Sequence, residues 1–148
     1  MADRPDHSVH ADRPRLLHTV IDTADCRGLA EFYRELLGLR YRPGDEPGAS
    51  GGSGADDPDW LVLVEDDGTR RLAFQRVERL EPTTWPDPDV PMQMHLDLTV
   101  PDRASLERQR ERAESLGAAL RLDRTDDEEE PLYVFTDPAG HPFCIFVA

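Results

Sequence analysis

The predicted elements of this chain occur in the same order twice. Alternating apolar and polar residues predict strands, and apolar residues three to four positions apart predict helices. Each half of the chain gives one strand, one helix and then three strands, in residues 15–78 and again in residues 92–148. Two such units can join their sheets. We therefore predict one α+β domain over residues 15–148, in which two tandem βαβββ modules form a curved, half-open barrel with the helices outside.

Local signals give the expected bounds of these elements. Strands are expected at 15–22, 39–42, 60–65, 70–78, 91–100, 118–122, 132–136 and 143–147. The first helix ends at Gly38, and the second covers 103–116 and ends at Gly117. Residues 79–91 hold four prolines and are expected to be a linker between the modules. Residues 43–59 are a loop, and its glycine-rich centre, 48–54, is interpreted as a tolerated hairpin insertion rather than a lid over the cavity.

The strand expected at 91–100 has two chemically different faces. One is apolar and suited to packing on helices: Met94, Leu96, Leu98 and Val100. The other is polar: Gln93, His95, Asp97 and Thr99. An imidazole and a carboxylate two residues apart on one face suit either water or a polar cavity. We favour the cavity.

Composition and charge exclude several classes of partner. The net charge of −14 would repel nucleic acid and an anionic membrane surface. No apolar run approaches the roughly 20 residues of a membrane-spanning helix. Residues 1–14 are polar and lack a secretory apolar segment, so we expect a disordered tail there. Cys26 and Cys144 lie far apart in sequence and form no disulfide framework, which favours a reduced, cytoplasmic protein.

Four residues with ligand chemistry lie in the first and last strands of the two modules. His18 and His95 are in the first strands, and Gln75 and Cys144 are in the last strands. Each is on the face opposite the apolar residues of its strand. The repeat therefore predicts that these four side chains turn inward together.

Several segments resemble the vicinal oxygen chelate superfamily, which includes glyoxalase I, extradiol dioxygenases, fosfomycin-resistance enzymes and bleomycin-binding proteins. The segments are Arg15-Leu16-Leu17-His18-Thr19, Phe32-Tyr33-Arg34-Glu35-Leu36-Leu37-Gly38-Leu39, the strand at His95, and Asp137-Pro138-Ala139-Gly140-His141-Pro142-Phe143. The resemblance covers nearly everything from Arg15 to the C-terminus. Within the superfamily, a glyoxalase-like group of actinobacterial type is the most similar, on Ala73 to Val77, His95 to Leu98 and Phe143-Cys144.

The resemblance implies a site for one divalent metal. In metal-dependent relatives, His or Gln, Glu, His and Glu hold the ion at positions that match His18, Gln75, His95 and Cys144. The ion, here Zn, Ni, Mn or Fe, polarises a substrate with adjacent oxygens as a Lewis acid. Cys144 departs from the pattern, because a carboxylate at that position would transfer the proton. Asp97 lies on the same face as His95 and is the candidate base.

A metal-free interpretation stays open beside it. His18 and His95 would then be hydrogen-bonded cavity residues, and Cys144 would be a small buried apolar residue. We weigh this above the metal site by about two to one. Histidine, histidine and cysteine with a weak glutamine donor suit zinc. His141, in a turn, is expected to be exposed rather than a ligand.

Two main functions follow. The first is a lyase or isomerase that acts with a metal on a small oxygenated molecule. The second is a metal-free protein that sequesters a small hydrophobic or cationic ligand, as bleomycin-binding relatives do, with aromatic contacts from Trp60, Trp85 and Phe146. A non-catalytic regulatory domain is a third alternative. The resemblance also implies a homodimer.

Overall fold

The computed structural model describes residues 12–49 and 56–148. Within these residues the elements, in chain order, are β1 (Thr19–Thr23), α1 (Cys26–Leu37), β2 (Arg40–Tyr41), β3 (Trp60–Val64), β4 (Arg70–Arg76), β5 (Leu96–Val100), α2 (Arg103–Ser115), β6 (Ala119–Arg124), β7 (Leu132–Thr136) and β8 (Pro142–Val147). Most of the expected tail and of the glycine-rich loop falls on residues 1–11 and 50–55, outside the described residues. None of the helices in the described ranges has the length and apolar character needed to cross a membrane.

The two modules have the same sheet topology. The strand order is β1-β4-β3-β2 in one sheet and β5-β8-β7-β6 in the other. In each sheet the first and last strands of the module are parallel neighbours, and the remaining pairs are antiparallel. The prediction of two βαβββ modules is confirmed. The sheets remain separate and curved, which is the half-open arrangement that the repeat predicts.

Both helices begin and end where local chemistry places them. The Asp25 carboxylate accepts a hydrogen bond from the Gly28 amide at 2.9 Å, and Asp102 caps α2 in the same way through Ser105, at 2.7 Å. Gly38 ends α1 with a φ of +68°, in the left-handed region that favours glycine. These caps satisfy backbone groups that would otherwise lack a hydrogen-bond partner at the helix ends.

The apolar faces of both sheets contribute to one core. From α1, Leu29, Phe32 and Tyr33 are buried against Phe74 of β4 and Phe143 of β8. The ring centroids of Phe32 and Phe143 are 5.8 Å apart, which joins the two modules through aromatic contact. The alternation within β5 and β8 is confirmed, because their apolar residues pack on this core and the alternate residues turn to the opposite face.

The first strand of each module, β1 and β5, begins later than the alternation predicts. Pairing between β1 and β4 starts at Thr19 with Leu72, and pairing between β5 and β8 starts at Leu96 with Phe143. Alternation indicates which face of a strand a side chain occupies. It does not indicate whether a neighbouring strand forms backbone hydrogen bonds with that residue. As a consequence Met94 does not face the helices as expected. It precedes β5, is 65% exposed and lines a cavity.

Candidate functional site

A cavity of about 490 Å³ lies where the two modules and their linker meet. Its walls come from β1, from the linker and the chain leading into β5, and from the turn between β7 and β8. Most of the lining is apolar: Val20, Ile21, Leu80, Val90, Met92 and Met94. Gln75, His95 and His141 are among the polar residues of the walls. An apolar cavity of this size with a few polar groups has the usual composition of a small-molecule site.

The turn between β7 and β8 holds one cavity wall in place. The hydroxyl of Tyr33 in α1 donates to the buried Asp137 carboxylate at 2.6 Å. The same carboxylate accepts from the amides of Ala139 and His141, at 2.9 and 3.0 Å. Burial raises the pKa of Asp137 above its usual value, although the Tyr33 hydroxyl, the nearby His141 and the turn amides partly offset this effect. These bonds tie module one to the turn of module two that lines the cavity.

His141 completes this connection between the modules. Its Nε2 atom lies 2.7 Å from the backbone oxygen of Asp22 in β1. The residue is partly buried and lines the cavity, whereas the sequence led us to expect an exposed turn residue. The only signal for it in the sequence is its place after the Asp-Pro-Ala-Gly turn. A contact with a residue 119 positions away is not readable from that turn.

His95, Asp97 and Cys144 form a compact group on β5 and β8. One potential ligand atom from each lies within 4.8 Å of the others. Nε2 of His95 is 3.2 Å from Oδ1 of Asp97, and Asp97 and Cys144 are directly paired across the two strands. Nitrogen, carboxylate oxygen and thiolate sulfur are all donors that zinc accepts. The donor set therefore fits a divalent cation.

The surroundings of the Cys144 thiol disfavour its thiolate form. Burial, and next the negative charge of Asp97, raise the pKa of Cys144 to about 11. The thiol is therefore protonated near neutral pH and can donate to the carboxylate, whereas activated cysteines have a lowered pKa. A bound cation would reverse this balance, because metal coordination deprotonates a thiol.

His18 lies in a different environment. It directly precedes β1, and its ring centroid is 6.0 Å from that of Trp60. Its Nδ1 atom is buried and has no hydrogen-bond partner in the described part of the chain. Burial, with smaller contributions from the charges of Arg70 and Arg42, lowers the pKa of His18. His18 is among neither the described lining residues of the cavity nor the His95 group.

The structure also places the other predicted site residues. Gln75 is exposed, lines the cavity and pairs with Asp22 of β1. Trp85 lies half-buried in the linker, and Phe146 lies half-buried on β8 between Thr99 and Leu132. Neither Trp60, Trp85 nor Phe146 is among the described lining residues of the cavity. His95 thus shares the cavity lining with Gln75 and has a ligand atom within 4.8 Å of Cys144.

Strand register refines the correspondence between the modules. Val20, two residues after His18, pairs with Ala73, whereas Asp97, two residues after His95, pairs with Cys144. Cys144 therefore corresponds to Ala73 in register rather than to Gln75. The counterpart of Gln75 is Phe146. Gln75 pairs with Asp22, four residues after His18, and Phe146 pairs with Thr99, four residues after His95.

The chain matches the model of one protein family. The match covers residues 18–146 and is to the glyoxalase-like domain. It includes both modules and the linker, as well as every residue of the cavity described above. No curated protein sequence matches the chain.

Solved structures with the same fold include three with informative descriptions. A glyoxalase/dioxygenase from Nostoc punctiforme is 21% identical, with a TM-score of 0.59 over 90% of each chain. A glyoxalase/bleomycin resistance protein/dioxygenase family enzyme from Burkholderia phytofirmans PsJN is 16% identical, with a TM-score of 0.62 over 88% of this chain and 96% of that one. The fosfomycin resistance protein FosX from Listeria monocytogenes, solved with Mn(II) and sulfate, is 14% identical, with a TM-score of 0.61 over 90% and 92%. At these identities the likeness concerns the fold.

Proposed function

Since the chain belongs to the glyoxalase-like domain family, we propose that it binds a small molecule in the cavity between its two modules. The cavity itself carries this proposal, because it is largely apolar and has about 490 Å³ of space. The linker contributes Leu80, Val90 and neighbouring residues to its walls, so ligand contact would involve both modules and the segment joining them. Sequestration of a small hydrophobic or cationic molecule is the function that this lining supports best.

Filling the cavity tests the proposal. Val20 is 41% exposed at the cavity wall, so Val20→Trp should place an indole in the space without entering the core. The matched control is Leu122→Trp, at a β6 position that is 37% exposed and outside the described cavity lining. Equilibrium dialysis with naphthalene-2-methanol should show binding to the wild type and the control, and at least about tenfold weaker binding to Val20→Trp. Equal binding to all three would refute the cavity as the site.

A metal-assisted lyase or isomerase is the second candidate. The observation that favours it is the group of His95, Asp97 and Cys144, whose donor atoms lie within 4.8 Å of one another. These side chains would hold the ion, and the ion would supply Lewis-acid polarisation of a substrate with adjacent oxygens. Asp97 then has two roles available, as a ligand or as the base that the sequence suggests. The four-residue site of His18, Gln75, His95 and Cys144 remains a prediction.

Cobalt substitution tests this candidate without any activity assay. Protein loaded with one Co(II) per chain should show a sulfur-to-metal absorption band, because Cys144 would coordinate as a thiolate. Cys144→Ala should lose the band, and Cys26→Ala should retain it, since Cys26 is buried away from the group. Cobalt binding without the band would exclude the cysteine from the site.

A homodimer is proposed as the assembly. Several large apolar side chains are exposed to solvent. They include Leu16, which precedes β1 and is 89% exposed, and Trp60 of β3, which is 38% exposed. Association would remove such side chains from water. Light scattering coupled to gel filtration should give twice the chain mass, and a monomer at micromolar concentration would refute the proposal.

We also infer a reducing, cytoplasmic location and membership of an actinobacterial subgroup. Both described cysteines are free thiols, Cys26 in the core and Cys144 on β8. This usage is typical of proteins kept in reducing compartments. Recovery of the native protein in an extracytoplasmic fraction would contradict the location.

A further inference from the structure

The charged residues of the cavity are all hydrogen-bond acceptors. The chain has 17 basic side chains, every one an arginine. The described lining contains no arginine, although it contains the carboxylates of Asp22 and Glu81. The remaining polar lining consists of hydroxyls, amides and imidazoles, which carry no fixed positive charge. An anionic group would therefore lose its hydration in this cavity without a cation to replace it.

The tautomer of His141 follows from its contact. A backbone carbonyl can only accept, so the Nε2 atom that lies 2.7 Å from the Asp22 oxygen carries the hydrogen. In the neutral imidazole, Nδ1 is then a pure acceptor. The amide of the same residue is bonded to Asp137, so the turn and the ring are both fixed. His141 thus offers a positioned acceptor at the cavity wall.

His95 has the same arrangement. Its Nε2 atom lies 3.2 Å from a carboxylate oxygen of Asp97, which accepts the hydrogen. In the tautomer with its hydrogen on Nε2, Nδ1 is the acceptor. The imidazoles of His95 and His141 and the carboxylates of Asp22 and Glu81 are therefore all potential acceptors in a largely apolar cavity.

We propose that the cavity takes an apolar molecule that carries a hydroxyl or amino group and no negative charge, and that Nδ1 of His141 accepts a hydrogen bond from that group. This inference rests on the proposed small-molecule binding and adds the chemical class of the ligand. Methionine side chains at positions 92 and 94 adapt to apolar surfaces of different shape, so the body of the ligand is less restricted than its polar group.

A matched set of three probes tests the ligand class. Naphthalene-2-methanol, 2-naphthylmethylamine and 2-naphthoate share one ring system and differ in the polar group. By equilibrium dialysis at neutral pH, the alcohol and the amine should bind at least about tenfold more tightly than the carboxylate, as expected when a charged group has no partner. The double substitution Asp22→Asn with Glu81→Gln should reduce the preference for the amine over the carboxylate by at least about fivefold. Asp66→Asn, at an exposed turn position outside the lining, should leave it unchanged.

Substitutions of His141 test the acceptor. His141→Leu removes both ring nitrogens and should weaken the alcohol by about fivefold. His141→Gln keeps an amide donor for Asp22 and an oxygen acceptor, so it should restore most of the affinity. Loss of binding in both variants, with unchanged circular dichroism, would mean that the ring shape alone matters and would overturn the acceptor role.

The outcomes separate this inference from the proposed function. Carboxylate binding as tight as that of the amine would overturn the ligand class while leaving the cavity as a binding site. Binding of none of the three probes would overturn the proposed function and the inference with it.

Discussion

His18 and His95 occupy the same position in two modules of identical topology, yet their surroundings are opposite. Each directly precedes the first strand of its module. His18 lies beside Trp60, and its buried Nδ1 has no partner among the described residues. The side chain of His95 is 42% exposed, pairs with Asp97 and lines the cavity. Position within the fold therefore does not determine what a histidine can do.

The difference comes from the two residues that follow in register. Two residues after His18 is Val20, which pairs with Ala73 on the neighbouring strand. Two residues after His95 is Asp97, which pairs with Cys144. Only the second pair adds an oxygen and a sulfur donor beside the imidazole. The positive charges of Arg70 and Arg42 disfavour protonation of His18 further, whereas the charges that act on Cys144 of the His95 group are negative. The two modules thus have the same backbone arrangement, and within residues 12–49 and 56–148 the clustered metal-binding donors lie in module two.

The largest expected effect tests whether the modules differ in stability as well as in chemistry. Phe143 of β8 is fully buried and stacks on Phe135 at 5.1 Å while touching Phe32 of module one. Phe143→Ala should lower the free energy of unfolding by about 3–5 kcal/mol. Because its neighbours belong to both modules, fluorescence and circular dichroism should report one shared transition in urea.

Phe146→Ala is the control for that substitution. Phe146 lies on the same strand, half-buried on the opposite face. Its loss should cost less than about half as much, since fewer buried contacts disappear. Separate unfolding of the two modules in Phe143→Ala would show that the common core is weaker than the aromatic contacts indicate.

The sequence predicts faces and helix ends better than it predicts neighbours. Alternation correctly separated His95 and Asp97 from Leu96 and Leu98, because side-chain direction in a strand depends on the backbone alone. The end of α1 at Gly38 was equally local. The contact of His141 with the Asp22 oxygen depends on how distant segments pack, which periodicity does not encode.

Register was the other unpredictable quantity. The order of the strands suggested that Gln75 and Cys144 occupy equivalent positions in the two modules. The register shows that Cys144 is equivalent to Ala73, two residues before Gln75. A shift of two preserves the face, so alternation could not reveal it. Alternation could therefore predict which strand face each candidate residue occupies, but not which of those residues lie together.

The next largest expected effect is the difference in zinc affinity between His95→Ala and His18→Ala. His95→Ala removes one of three clustered donors and should weaken zinc binding at least about a hundredfold, or about 2.7 kcal/mol. His18→Ala should change it by less than about twofold, because His18 lies outside the group. Competition with a zinc chelator measures both. Equal losses in the two variants would instead support the four-residue site spanning both modules.

Two tyrosine hydrogen bonds allow a contact between the modules to be compared with a contact within one module. Tyr33 donates to the buried Asp137, and Tyr133 donates to the exposed Glu107, each at 2.6 Å. Tyr33→Phe should cost about 2 kcal/mol of unfolding free energy, because it removes a donor from a buried carboxylate. Tyr133→Phe should cost less than about 1 kcal/mol, since the Glu107 carboxylate is exposed and water can solvate it when the hydroxyl is removed. Urea titrations at neutral pH measure both, and equal costs would show that the connection between modules is no stronger than a surface bond.

The smallest effect returns to His18. Its buried Nδ1 lacks a partner in the described residues, so His18→Phe should raise the free energy of unfolding by about 1 kcal/mol by removing an unsatisfied polar atom. His95→Phe, measured in chelator, should change it by less than about 0.5 kcal/mol, as is usual at accessible positions.

The pKa of His18 is lowered from 6.5 in the folded state, so the unfolded chain binds more protons there. The contribution of His18 to stability therefore falls as the pH drops below about 6.5, and the advantage of His18→Phe should widen between pH 8 and pH 5. An advantage that narrows over this range would mean that His18 is protonated in the folded state, and its difference from His95 would lose its electrostatic basis.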